Sequence, residues 1–341
     1  MSDARTYTPV AEASRPFFAG IDVGGTNIKV GLVDNAGRTL AYHTFPTDVD
    51  RGPDDGCRRM AEAVRKVTSD AKADLGDVVR IGLATPGTMD VPAGLLLEPH
   101  NLQGWWNYPI RDRLAEAAGI PVTFANDANA AAYGEFWVGS GQQYNSMILL
   151  TLGTGIGGGI IIGDKLIEGE HSCGGEVGHI IIDMSDDAMK DNAGKTGSLE
   201  AYASAGGVVK RAQAALAKDS SSVLAKIGLA EDELTPLAIA EAAEQGDLLA
   251  RNVVLDTAKY LGIGITTLVH TIDPESVVLG GAMTFGGNDN ALGREFLQAI
   301  CDEFNRRTFP TLAGKIIIDF ATLGGDAGYL GAAGLARLAH R

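Results

Sequence analysis

Asn126 and Asp127 open an alanine-rich run, NDANAAAYGE, and supply a carboxylate that could orient a hydroxyl and take its proton. Taken alone, the pair suits a helix N-cap better than a base, because Asn and Asp both favour that position. Three glycine-rich turns offer a second kind of chemistry. Asp22-Val23-Gly24-Gly25-Thr26-Asn27, Gly153-Thr154-Gly155-Ile156-Gly157-Gly158 and Gly280-Gly281 each follow an apolar run. Backbone N–H groups in such turns can bind phosphate oxygens with no side chain in the way, although any one of them is also what a tight hairpin requires. The second turn satisfies G-x-G-x-x-G at Gly153, Gly155 and Gly158, the dinucleotide pattern. That pattern needs a helix immediately after the loop, whereas residues 159–163 read GIIIG and continue as a strand, so a nicotinamide-dependent reading is set aside.

The elements that must carry these turns are legible in outline. Residues 17–34 read as a β-hairpin, with Ile28, Val30 and Leu32 alternating with Asn27, Lys29 and Gly31. A third strand, TLAYHTFPT, a helix over GCRRMAEAVRKVTSDAK and a buried strand, VVRIGLATPG, follow. The loop EPHNLQGWWNYPI comes next, with Trp105 and Trp106 expected to pack the junction between domains; a helix over 111–118 and the strand-to-helix run PVTFANDANAAAYGEFW succeed it. At residue 145 the order restarts: Gly25-Thr26 matches Gly153-Thr154 and Asp34 matches Asp164, which implies an internal duplication. Helical spacing dominates 199–270, SVVLGGAM reads as a strand, and the chain closes with a strand, a glycine turn and a helix.

At 341 residues the chain exceeds what one hydrophobic core usually serves, so two lobes with a cleft are expected. A net charge of -15 with no basic run argues against nucleic acid as a partner. Cys57, Cys173 and Cys301 are odd in number and far apart, which fits a reducing cytoplasm and neither a disulfide framework nor a cysteine metal site. The first 16 residues lack the pattern of a signal peptide and are expected to form a flexible tail, and no apolar run is long enough without glycine breaks to span a membrane.

Taken together, GIDVGGTNIKVGLVD, ATPGTMD, HNLQGW, NDANAAAYGE, LTLGTGIGGGIIIGDKLIEG, GGEVGH, GSLEAYAS and VVLGGAM resemble the ROK family (repressors, open reading frames and kinases) from about Phe18 to the C-terminus. The resemblance implies an α/β, two-lobed actin-like (ribonuclease H-like) ATPase fold with duplicated domains. The small lobe would be 17–124 joined by the C-terminal helix 326–341, and the large lobe 125–325. It also implies an ATP-dependent hexokinase, glucose being the expected sugar and mannose, fructose or an N-acetylhexosamine the alternatives. Gly24, Gly25, Thr26, Asn27 and Lys29 would hold ATP phosphates with Gly153, Thr154 and Gly155, while Gly280 and Gly281 would lie against the adenosine. Asp22 would hold Mg²⁺ through water, and Asp127 would be the base. Asn101, Asn126, Glu176, His179 and Glu200 would contact sugar hydroxyls, and a homodimer is expected.

The family also contains sugar-responsive repressors with a helix-turn-helix domain ahead of the kinase-like body, but only 16 residues precede the first strand here. Many members carry a zinc-binding run, Cys-x-Cys-Gly-x-x-Gly-Cys-x-Glu; the same positions here read DNAGKTGSLE, with Asp191, Ala193 and Ser198 at the cysteine positions. No zinc is therefore expected, and hydrogen bonds and packing must hold Glu200 and His179.

Overall fold

The computed structural model describes residues 5–99, 101–219, 221–226 and 234–341; His100 of HNLQGW and parts of the first tail and of the 199–270 stretch lie outside them. The first half contains β1 (Phe17–Val23), β2 (Asn27–Val33), β3 (Thr39–Pro46), α1 (Pro53–Asp70), β4 (Val78–Thr85), β5 (Thr88–Asp90), β6 (Leu95–Glu98), α2 (Ile110–Ala118), β7 (Val122–Asn126) and α3 (Asp127–Val138). The second half contains β8 (Ser146–Leu152), β9 (Ile156–Ile162), β10 (Lys165–Leu166), α4 (Leu199–Ala203), α5 (Ala205–Leu216), α6 (Pro236–Glu244), α7 (Leu248–Ile272), β11 (Ser276–Gly281), α8 (Ala291–Arg307), β12 (Ile317–Phe320) and α9 (Ala327–His340). Both hairpins, the alanine-rich helix, the late Gly-Gly strand and the closing helix stand where the sequence puts them. The β5–β6 hairpin falls almost wholly in residues 88–97, to which the sequence reading assigned no element, its strands being too short to show a period.

The described residues form two five-stranded sheets, ordered β3-β2-β1-β4-β7 and β10-β9-β8-β11-β12. In each, the outer three strands are antiparallel and the next two pairings are parallel. The expected duplication is thus present at the level of strand order. Burial explains why the strands form: β1 and β2 are apolar and almost wholly covered. One core lies between the first sheet and α1 and α2, a second between the other sheet and α4 to α8.

Helices α3 and α9, each following the last strand of its sheet, pack on one another and onto both sheets. Small residues make this possible. A Cβ at Gly331 of α9 would lie 1.6 Å from the Ala130 carbonyl oxygen of α3, and one at Gly82 of β4 would lie 1.8 Å from the Ala332 carbonyl oxygen of α9. Neither position can hold a side chain without parting the layers.

Two expectations need correction. From Arg5 onward the first segment is docked rather than loose: Arg5 pairs with Asp326 at 2.7 Å and lies over the Tyr42 ring, Thr8 N–H donates to the Thr39 carbonyl at 2.9 Å, and Ser14 N–H donates to the buried Asp34 carboxylate at 2.9 Å. These polar contacts carry no apolar periodicity, so composition does not announce them. Trp105 is buried inside the first core rather than at a junction, its indole N–H donating to the Val49 carbonyl at 3.2 Å, while Trp106 is 59% exposed. Among the described residues, no helix is long and apolar enough to cross a membrane.

Candidate active site

The first glycine turn joins β1 to β2. Gly24 N–H donates to the Asn27 carbonyl at 2.9 Å and the Thr47 hydroxyl to the Gly24 carbonyl at 2.6 Å, leaving Gly25, Thr26 and Asn27 exposed. Asp22 and Lys29 are partners across this hairpin, and the Lys29 ammonium stands 3.3 Å from the Asp22 carboxylate while donating to the Gly325 carbonyl at 2.9 Å. The second turn joins β8 to β9 and is closed by Gly153 N–H donating to the Gly155 carbonyl at 3.0 Å. Its Gly153 carbonyl accepts from Ala205 N–H at 2.9 Å, which fastens it to the start of α5. Gly280 and Gly281, at the end of β11, pair with Thr151 and Leu152 of β8, so the late glycines adjoin the second turn. Gly281 has φ +91°, and a Cβ there would lie 2.3 Å from the Leu152 carbonyl oxygen.

Strand β7 runs directly into α3, and the cap at that junction is Asn126. Its Oδ1 accepts from Ala128 N–H at 2.9 Å and Asn129 N–H at 3.2 Å. Asp127 is the first helical residue, with Oδ1 accepting from Ala128 N–H at 2.8 Å. With capping performed by its neighbour, Asp127 needs another explanation. Parallel pairing of β1, β4 and β7 sets Asp22 beside Ala84 and Thr85 beside Asn126, which brings Asp22 and Asp127 to the same edge of the sheet. Burial first, then the Asp22 charge, pushes the Asp127 carboxyl up to about 7, with Glu176 adding to the rise and the Ala128 amide opposing it. Burial also raises Asp22, against the pull of Lys29. Asp22, at that edge and next to the exposed first turn, offers the carboxylate oxygens that a hard divalent cation takes.

The residues expected to read sugar hydroxyls fall around this edge. Asn101 lies against the first turn, where a Cβ at Gly25 would be 3.3 Å from the Asn101 Cβ. Glu176 and His179 belong to one short turn, 4.0 Å apart, both side chains partly exposed. Glu200 sits in the first turn of α4, but its carboxylate accepts from Ile156 N–H at 2.9 Å and lies over Gly155, so it is no mere dipole partner. Asn101 thus stands against the first turn and Glu200 against the second, Glu176 is near enough to Asp127 to raise it and has His179 beside it, and Gly280 and Gly281 adjoin the strand that leads into the second turn.

One acid escaped the sequence reading, and another, Asp191, was noted there only as the replacement of a cysteine. Glu135, fully buried at the end of α3, accepts from the Ser140, Thr322 and Leu323 backbone N–H groups at 3.0, 3.2 and 2.7 Å and ties that helix to the turn before α9. An acid closing an otherwise alanine-rich helix was the available signal. Asp191 is buried and anchors the 191–198 loop; its Oδ1 accepts from Ala193 and Lys195 N–H at 3.0 and 2.8 Å, and its Oδ2 from the Ser198 hydroxyl at 2.7 Å. Burial pushes this carboxyl up, but those hydrogen bonds and the nearby His179 together leave it below the ordinary range. The Asp-x-x-Gly spacing of a turn was its signal. Among the described residues, no group of three or more His, Cys, Asp or Glu side chains is arranged to hold a metal ion.

Two sheets of one strand order, a hairpin turn at the head of each and a crossing helix pair define the actin-like class of α/β ATPase folds, and solved structures of that class match. The chain belongs to the ROK family, whose sequence pattern spans residues 18–339. It is 35% identical over 315 residues to a glucokinase of Halalkalibacterium halodurans, covering 92% of this chain and 93% of that one. A ROK hexokinase from Thermus thermophilus superposes with a TM-score of 0.81 at 32% identity, covering 95% of this chain and 99% of that one. A ROK family glucokinase from Streptomyces griseus, solved with glucose and AMPPNP, superposes with a TM-score of 0.72 at 33% identity, covering 94% and 99%.

Proposed function

We propose that this chain transfers the γ-phosphoryl group of ATP to a hydroxyl of a hexose, glucose before mannose, fructose or N-acetylhexosamines, with Asp127 as general base. The observation that carries the reading is the Asp127 carboxyl at the edge between two glycine turns, relieved of capping by Asn126 and pushed up to about 7. A base with that affinity takes a hydroxyl proton at neutral pH without being saturated by solvent protons. The relatives support the substrate: one is named a glucokinase and another was solved with glucose and an ATP analogue.

In this reading the sugar hydroxyl loses its proton to Asp127 as its oxygen bonds to the γ-phosphorus. The bond from that phosphorus to the β–γ bridging oxygen breaks, and ADP leaves with the electron pair. The turns Gly24-Gly25-Thr26 and Gly153-Thr154-Gly155 hold the phosphates, each closed by its first N–H and offering the N–H groups that follow it, with Asn27 and Lys29 beside them, and Gly280 and Gly281 lie against adenosine. Mg²⁺, when bound, neutralises charge on the phosphates, and Asp22 would hold it through water. Asn101, Asn126, Glu176, His179 and Glu200 take the sugar hydroxyls, and zinc has no part. The lobe of the first sheet, which keeps β7 through Asn126 and so ends two residues later than the expected 17–124, and the lobe of the second sheet close over the sugar and exclude water, which would otherwise be phosphorylated. The enzyme works as a homodimer in the cytoplasm, where ATP and free hexose meet.

The test is ADP release by the purified protein with Mg-ATP across a panel of hexoses. Glucose should give the highest kcat/KM; a panel on which no hexose stimulates ADP release would end the reading.

A further inference from the structure

The geometry points to Asp191 as a positioning residue that sets His179 and Glu200 in register with the 153–155 turn. This inference rests on the sugar-kinase reading and deepens it. The side chain is fully covered, yet it gathers four polar contacts: Ala193 N–H, Lys195 N–H, the Ser198 hydroxyl at 2.7 Å and His179 Nδ1 at 3.4 Å. The two amides close the loop on itself, and the other two contacts lead towards the site. The Ser198 hydroxyl also accepts from Ala201 N–H at 3.2 Å and so caps α4, fixing the turn that carries Glu200. Glu200 in turn accepts from Ile156 N–H at 2.9 Å, immediately after the turn. The residue next to Asp191, Asn192, donates from its amide to the Thr154 carbonyl at 3.3 Å. The loop therefore reaches the turn by two routes, and Asp191 is where both begin. Its backbone closes the same structure, with Asp191 N–H donating to the Lys195 carbonyl at 2.9 Å.

A buried carboxylate with four partners is costly to remove, because the partners are left unsatisfied. Asp191→Ala should free His179 and α4, raising the hexose KM about tenfold and the ATP KM by a smaller factor, because His179 and Glu200 face the hexose while the 153–155 turn is reached only through Asn192 and Glu200. Asp191→Asn keeps an acceptor oxygen for the Ala193 and Lys195 amides and should restore most of the hexose affinity. Amide hydrogen exchange supplies a readout that needs no activity: Asp191→Ala should hasten exchange across 193–203 and at Ile156. Unchanged exchange there, or a hexose KM equal to that of the unsubstituted protein, overturns the assignment. So does an equal rise in both KM values, which is what general destabilisation gives. Absence of hexose turnover in the unsubstituted protein would end the kinase reading instead, and exchange would still decide on the loop. If Asp191→Ala does not fold, Ser198→Ala removes one link and should raise the hexose KM by a smaller factor; no rise overturns the proposal.

Discussion

Asp127 shows how a neighbour changes the meaning of a residue. By type and position it is an ordinary helix cap, and only the transfer of that duty to Asn126 leaves its carboxyl available for chemistry. Asp127→Asn should lower kcat by about 10²- to 10⁴-fold, the usual range for a lost general base, while circular dichroism stays unchanged. The base must be ionised to act, so kcat/KM should rise with pH through about 7 and level off above, and the asparagine variant should lack that limb. Stability runs the other way. With the folded-state pKa above the unfolded value, the folded protein holds the proton more tightly, so stability from this group is full at pH below the unfolded value and is lost as pH rises through about 7. Asp127→Asn should accordingly raise Tm at pH 8 and leave it nearly unchanged at pH 4 in a thermal scan.

The crossing of α3 and α9 is held by small residues and by one acid. Gly331→Val would push a branched side chain into the Ala130 carbonyl and should cost about 3 kcal/mol or more in denaturant unfolding, the upper end for overpacking. Most of this level was legible. Hairpins and buried strands announce themselves through alternation or continuous apolar runs closed by glycine, and β1, β2, β8, β9 and β11 all do so. The three glycine turns and the start of α3 were legible for the same reason. The rest was not, because it is held by polar pairing between distant segments. Arg5 with Asp326, Glu135 with Thr322 and Leu323, and Asp191 with His179 join residues whose spacing carries no period. Trp105 misled because a paired tryptophan looks like an interface, when one ring is core and the other faces solvent.

At the scale of the whole molecule, two cores lie on either side of the α3–α9 pair, and the candidate ligand groups come from both sheets. Asp22 and Asn101 belong with the first, Glu176, His179 and Glu200 with the second. Closure would therefore be felt in overall dimensions: small-angle scattering should show a smaller radius of gyration with glucose than without it, and Asp191→Ala should need more glucose to reach the compact form. Matching strand order in the two sheets has one more implication. Helices α3 and α9 hold equivalent places in the two halves and meet each other face to face, with Gly134 of one against Ala327 of the other and Gly331 against Ala130. The seam is thus nearly self-complementary: each half offers the other the same kind of surface, a helix stripped to glycine and alanine, and a substitution that enlarges either helix is met by its counterpart rather than by solvent.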